Sequence, residues 1–441
     1  MRRATIGQPH CIRPETAPLS GLVLERRTGF WPALFRPHSY DHHLWNVSQD
    51  CLENIGALHS QRRPRAHEDW CAPARAEQRL LNQIDAILAC GRDVIEKALN
   101  CLEDAEVPDP EWAFAVLLVL GCIPGEQAAQ AAASAFKMVC ERDRREGAAA
   151  VDALALSPNS SIASVFGPFL RYESPLQRCA AELLFRRYEL SACQIEDLLQ
   201  SGNADLIAIG LKAERNLRSW QGDVAPFLHH ESDAVVYAAL SVSFVRGDPA
   251  CRSRSIELIK EGRPTFADAV FWLGIAGDVR DESLLTSLLS GPTIKRAAAA
   301  LGYWGHPAAI PLLIQVLGEV PDEQKRSVAF ALERITAAEL SGWDTQAQEL
   351  RVASSEQYES WQDKHASILL ARDRLRRGRR FCPEVLISEL ECRAHSVAER
   401  EIAHLELIAL HAGSPPRFRT DAFIAEQRTA ILEWKQLWKI Q

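Results

Sequence analysis

Leu273-Gly274-Ile275-Ala276-Gly277-Asp278 and Leu301-Gly302-Tyr303-Trp304-Gly305-His306 are one phrase written twice, 28 residues apart. At the same offset Leu284, Leu285, Leu288 and Leu289 map onto Leu312, Leu313, Val316 and Leu317. Alanine-rich stretches, Ala267–Leu273 and Ala297–Leu301, precede each copy. Small side chains there let two helices approach closely, and the glycine pair suits a tight turn that a Cβ would disfavour. The texture is helix, turn, helix, repeated.

Weaker copies extend in both directions. Leu184, Leu211, Leu240, Leu273, Leu301 and Leu332 fall at intervals of 27, 29, 33, 28 and 31 residues. A helical hairpin of about 30 residues cannot bury its apolar face alone, so neighbours must stack. This predicts an all-α protein built as an α-solenoid, a right-handed superhelix of the armadillo or HEAT kind with one concave face. Its parts are an irregular N-terminal segment (residues 1–75), the repeats (76–340) and a helical C-terminal cap (341–441).

Around the repeats the pattern is less regular. Prolines at 9, 14, 18, 32, 37 and 64 predict loops and short elements over residues 1–70. From residue 76 the apolar stripe Leu80, Leu81, Ile84, Ile87, Leu88 marks a helix that stops at Gly91. Further helices are expected over 92–103, 110–121, 125–145 and 147–156. Beyond 341, residues 354–378 read as one charged helix and Pro383–His395, Ser396–Ala412 and Thr420–Lys439 as three more. Ser396 with Glu399 forms a capping box.

Composition sets limits. Hydrophobic residues are 47% and charged residues 24% of 441, an ordinary globular balance that argues against extensive disorder. Of the formal net charge of −8, about −7 falls in residues 109–340, a field that repels nucleic acid and attracts basic surfaces. The longest apolar run, Trp112–Ile123, is too short to span a bilayer. The N-terminus lacks the apolar core of a signal peptide, so a cytoplasmic location without membrane contact is expected. The twelve cysteines contain no CxxC pair and are expected to be reduced and buried rather than zinc ligands.

The phrase ALGYWGHPAAIPLLIQVL (300–317) resembles a HEAT-like repeat of the phycobilisome-lyase type. AEQRLLNQIDAILACG (76–91) and AEQRTAILEWKQLW (425–438) resemble the opening signature and closing helix of an uncharacterised proteobacterial HEAT-like family. Members of that family are often encoded beside type VI secretion components and toxins. The resemblance implies a partner that is a toxin to be neutralised or a secretion component to be loaded, and so an immunity or adaptor role.

Candidate chemistry is sparse. His38, His42 and His43 have helical spacing for a metal but lack a third ligand, and His229-His230-Glu231 suits a helix C-terminus. Arg372, Arg374, Arg376, Arg377, Arg379 and Arg380 form the one dense basic run, too narrow for a phosphate-binding face. Trp220, Trp272, Trp304 and Trp343 recur near repeat turns and read chiefly as core. No Walker loop, nucleophile elbow, dinucleotide fingerprint or HExxH occurs, so no catalytic residue, metal or cofactor is assigned. The favoured reading is a protein-binding scaffold, not an enzyme, with Asp223, Glu257, Glu261, Asp281 and Glu282 as an acidic lining for a basic partner. The alternatives are a lyase- or glycosylase-like enzyme on the same repeats and a nucleic-acid binder.

Overall fold

The computed structural model describes residues 38–62, 64, 68–172, 175–217, 222–262, 266–338, 340–344, 349–367 and 373–440. Among them the protein is all-α: twenty-two α-helices, with strands confined to two short antiparallel hairpins. The hairpins pair β1 (Gly342–Asp344) with β2 (Glu349–Arg351), and β3 (Leu375–Arg376) with β4 (Arg379–Arg380).

Eight helices form a row in which each packs on the next. They are α4 (Pro110–Cys122), α6 (Arg144–Ala155), α8 (Pro175–Arg186), α10 (Ala204–Leu217), α12 (Asp233–Arg246), α14 (Phe266–Ala276), α16 (Ile294–Trp304) and α18 (Asp322–Thr336). The leucine ladder runs along this row. Leu184, Leu211, Leu240, Leu273, Leu301 and Leu332 sit one to a helix from α8 to α18, and every one is fully buried. Each such side chain removed from water contributes about 1.5–3 kcal/mol. The periodicity therefore marks a continuous seam.

A second set flanks the row: α5 (Glu126–Arg142), α9 (Ala192–Leu199), α11 (Ala225–Leu228), α13 (Ala250–Glu261), α15 (Glu282–Ser287) and α17 (Ala309–Glu319). Each packs on one to three row helices. The apolar run Trp112–Ile123 forms α4, started by the Asp109 carboxylate accepting from the Glu111 and Trp112 amides and by Pro110. Ala113–Gly121 are buried on every face because α4 has neighbours all round: α1 (His38–Gln61), α5 and α6.

The repeated phrase resolves into two tasks for its glycines. Gly277 and Gly305 adopt φ of +70° and +69°, the left-handed turn that glycine takes most readily. Gly274 and Gly302 lie inside helices where row neighbours touch. A Cβ on Gly274 would stand 2.4 Å from the Ala300 carbonyl oxygen, and one on Gly302 would stand 3.0 Å from the Ala331 Cα. Only the second glycine of each pair makes the turn. The first permits the row to close up.

Three expectations are corrected. The irregular N-terminal stretch contains the 24-residue helix α1, whose Cys51, Leu52, Ile55 and Leu58 face α2 (Ala74–Cys90) and α4; scattered prolines had masked this stripe. The single helix over 125–145 ends at Arg142, and Asp143 caps α6 by accepting from the Arg145 and Glu146 amides. Of the charged helix expected over 354–378, Ser355–Lys364 forms α19, residues 368–372 lie outside the described residues, and Leu375–Arg380 turn through β3 and β4. There Arg377, at φ +51°, and Gly378 bind the end of α18, the Arg377 amide donating to the Arg334 carbonyl at 2.7 Å.

The Ser396–Glu399 capping box forms as the sequence reads, with the Glu399 amide 3.3 Å from Ser396 Oγ and the Ser396 amide 3.0 Å from Glu399 Oε2. Three C-terminal helices follow, α20 (Pro383–Glu391), α21 (Val397–Leu410) and α22 (Ile424–Trp438). They do more than cover one end. Glu399 pairs with Arg334 of α18, α21 packs on α12, and the Ile424 amide reaches Glu77 of α2 at 2.9 Å. The C-terminal segment thus runs back along the row from α18 to the first helices.

Candidate functional site

A cavity of about 910 Å³ lies between the row and this returning segment. One wall comes from α8, α10, α12 and α14 through Glu182, Phe185, Lys212, Arg215, Tyr237, Asp268 and Phe271. The other comes from α21 and the loop before α22, through Glu401, His404, Phe418, Arg419, Thr420 and Asp421. Arg62, Trp70 and Glu77 close the N-terminal side.

The closing loop is held by charge. Asp421 is gripped by Arg186 of α8 and by Arg419 Nε at 2.8 Å, and Arg186 Nη1 also meets Asp152 at 2.5 Å. Burial alone would raise the Asp421 carboxyl; Arg419 and Arg186 outweigh it and hold the group at about 2. Arg419 also donates to the carbonyls of Ala155 and Arg186, at 2.9 and 3.0 Å. Tyr188 Oη donates to the Phe418 carbonyl at 2.7 Å. Arg62 lies 3.5 Å from the Glu77 carboxylate and donates to the Asp421 carbonyl at 3.0 Å.

Deeper in, the pairing is incomplete. Arg215 donates from Nε to Asn216 Oδ1 at 3.0 Å, yet among the described residues no carboxylate stands at ion-pairing distance from it. Burial lowers its pKa, against the weaker opposing pull of Tyr188, Tyr237 and Glu401. His404, 7% exposed, leaves Nε2 without a partner. Burial and then the Arg215 charge push its pKa down to about 3, so the ring is neutral at physiological pH. Glu401 accepts from Thr420 Oγ1 at 2.7 Å. Burial raises the Asp268 carboxyl and Arg296 opposes this. The interior is thus amphiphilic: aromatic walls, charges of both signs, and an arginine lacking a carboxylate.

The five acidic residues singled out by sequence lie elsewhere. None lines the cavity, and all belong to the flanking set or its turns. Asp281, taken for a surface acid, is 1% exposed and ion-paired with Arg252. Glu257 and Glu261 are exposed, but both neutralise Arg254, each at 2.9 Å. Asp223 is exposed and caps the turn into α11 by accepting from the Ala225 amide at 2.9 Å. Glu282 is half-buried at the first turn of α15. Much of the predicted acidity serves local arginines.

The basic run is likewise spent internally. Arg374 and Arg376 both bind Glu406, with Arg374 at 2.5 Å and Arg376 fully buried. Arg379 pairs with Glu384 at 2.9 Å and Arg380 with Asp373 at 3.3 Å; Arg372 lies outside the described residues. The side chain of His38 also lies outside them, whereas His42 and His43 are exposed on α1 and His229 follows α11. Trp272 and Trp304 are buried, Trp304 Nε1 donating to the Asp278 carbonyl at 2.9 Å. Trp220 and the Trp343 side chain are outside the described residues.

Sequence reasoning missed Arg215, Tyr237 and His404. For Arg215 and Tyr237 the signal was polar or aromatic character at row positions next to the leucine ladder; His404, on α21, carried none. Arg215 stands four residues beyond Leu211 and Tyr237 three before Leu240. No helix of the described residues is long and apolar enough to cross a membrane. No family model and no curated protein matches the chain.

Proposed function

We propose that the chain is a protein-binding scaffold: an α-solenoid of HEAT-like helix pairs that holds a segment of another protein in the cavity beneath its own C-terminal segment. The observation supporting this is the cavity, with walls from four successive row helices and from α21 and its following loop. Its volume falls in the range that encloses a few side chains of a bound chain. Charges of both signs beside aromatic walls suit a peptide, whereas nucleic acid calls for a continuous positive surface. Within this reading, an immunity or adaptor role beside type VI secretion rests on the family resemblance of the repeat and terminal phrases.

The test is photo-cross-linking in native host cells. Benzoylphenylalanine replaces Phe185 in the cavity or, in a second variant, Phe330, which is exposed and outside it. A discrete adduct to a second polypeptide from position 185 alone supports the reading. Equal labelling from both positions, or none from 185, overturns it. Protection of cells from a toxin encoded beside this chain separates immunity from an adaptor role.

A further inference from the structure

We propose that the bound segment is acidic, with a carboxylate seated on the Arg215 guanidinium and an adjoining apolar side chain against Phe185, Tyr237 and Phe271. This rests on the cavity receiving a peptide and names the chemistry of that peptide.

Three observations converge on Arg215. The other arginines of the lining have carboxylate or carbonyl partners: Arg62 with Glu77, Arg186 with Asp152 and Asp421, and Arg419 with Asp421. Among the described residues Arg215 has only the side-chain oxygen of Asn216, so a half-buried guanidinium that lines the cavity is left with most of its donors unused. Lys212, one turn earlier on α10, lines the same wall and adds a second cation. His404 faces the cavity with an unpartnered Nε2, 93% buried by the exposure of its residue. A ligand with a donor beside its carboxylate, as every peptide has in its amide N–H, satisfies that nitrogen too.

The carboxylates in the lining do not occupy this role. Glu182 stands one turn from Arg186 on α8, Asp268 has Arg296 beside it, and Glu401 takes its hydrogen bond from Thr420. The aromatic side chains of α8, α12 and α14 are then free to cover an apolar residue next to the acid. Burying the charge pair under α21 excludes water, which strengthens the contact and penalises a neutral isostere that leaves Arg215 unpaired.

Fluorescence anisotropy with the full chain tests this. The probes are dansyl-Phe-Asp-Phe-amide and its neutral isostere dansyl-Phe-Asn-Phe-amide. The Asp peptide should bind the wild-type chain about tenfold or more tighter than the Asn peptide. That preference should vanish in Arg215→Met and persist in part in Arg215→Lys, with circular dichroism matching wild type. Equal binding of both peptides by the wild-type chain, no binding of the Asp peptide at millimolar concentration, or an undiminished preference in Arg215→Met overturns the proposal. The wild-type comparison stands even if Arg215→Met fails to fold. A cross-link from position 185 without acid preference would sink this inference and leave the scaffold reading; acid preference without a cross-link would do the reverse.

Discussion

The Glu77 carboxylate accepts the backbone N–H of Ile424 at 2.9 Å, joining the first turn of α2 to the start of α22 across 347 residues of chain. Both are buried, and Arg62 stands 3.5 Å from the same carboxylate. Burial pushes the Glu77 carboxyl up, and the Ile424 amide and Arg62 act against it. The contact fixes where the C-terminal segment ends its path along the row.

Removing that carboxylate strands an amide and an arginine together. Glu77→Ala is expected to destabilise the protein by about 3 kcal/mol, and Glu77→Gln by less because it keeps an acceptor for Ile424. Urea unfolding midpoints at constant slope measure both. Equal losses for Ala and Gln would show that the Ile424 bond adds nothing.

Asp421 makes closure of the cavity pH-dependent. Its carboxyl is held at about 2 in the folded chain, below its ordinary 3.8, so it stabilises the closed loop above pH 3.8. That contribution fades as pH falls from about 4 through 2. Asp421→Asn should flatten this part of the stability profile while lowering stability at neutral pH. Hydrogen exchange of the 418–424 amides from pH 5 to 2.5 follows it; identical profiles for wild type and Asp421→Asn would count against the ion pair.

The two helix-contact glycines should respond differently to alanine. In both helices alanine gains up to about 1 kcal/mol of propensity. At Gly302 the new Cβ meets Ala331 at 3.0 Å, so gain and crowding nearly cancel. At Gly274 it meets the Ala300 carbonyl oxygen at 2.4 Å, and overpacking of about 2–3 kcal/mol dominates. Thermal melts should place Gly274→Ala well below wild type and Gly302→Ala close to it.

Cys392, half-buried at the end of α20, should be the most reactive thiol. A hydrogen bond from His395 lowers its pKa. Burial works against the His395 charge, but Cys392 and Glu399 raise that imidazole to about 9, so it stays protonated at neutral pH. Iodoacetamide at pH 6 should label Cys392 about tenfold faster than the exposed Cys101 and Cys193, and His395→Gln should abolish the difference. Peptide mapping by mass spectrometry reads the rates; uniform labelling contradicts the assignment.

Much of the fold was legible because burial leaves a local trace. The leucine ladder, the Ser396–Glu399 box and the apolar run of α4 each encode a neighbour's position within a turn or two of the residue itself. The hairpin after α19 was not legible, because its arginines favour a helix, the lone Gly378 reads equally well as a helix stop, and contacts with α16, α18 and α21 draw the segment into another path. Charge was the least legible. Asp281 and Glu261 look alike in sequence and each pairs with an arginine of α13, Arg252 and Arg254, yet tertiary packing buries the first and leaves the second exposed.

The sequence by itself determined the all-α class, the leucine spacing and several helix ends, since these follow from periodicity, capping and glycine chemistry within some thirty residues. Tertiary structure alone decided that the C-terminal segment runs back along the row, and that a cavity with an arginine lacking a carboxylate lies beneath it. Contacts such as Arg186–Asp421 and Glu77–Ile424 join residues hundreds of positions apart. No local pattern encodes which of many similar charges will meet, because Coulomb attraction and hydrogen bonding depend on distance in space and not on distance along the chain.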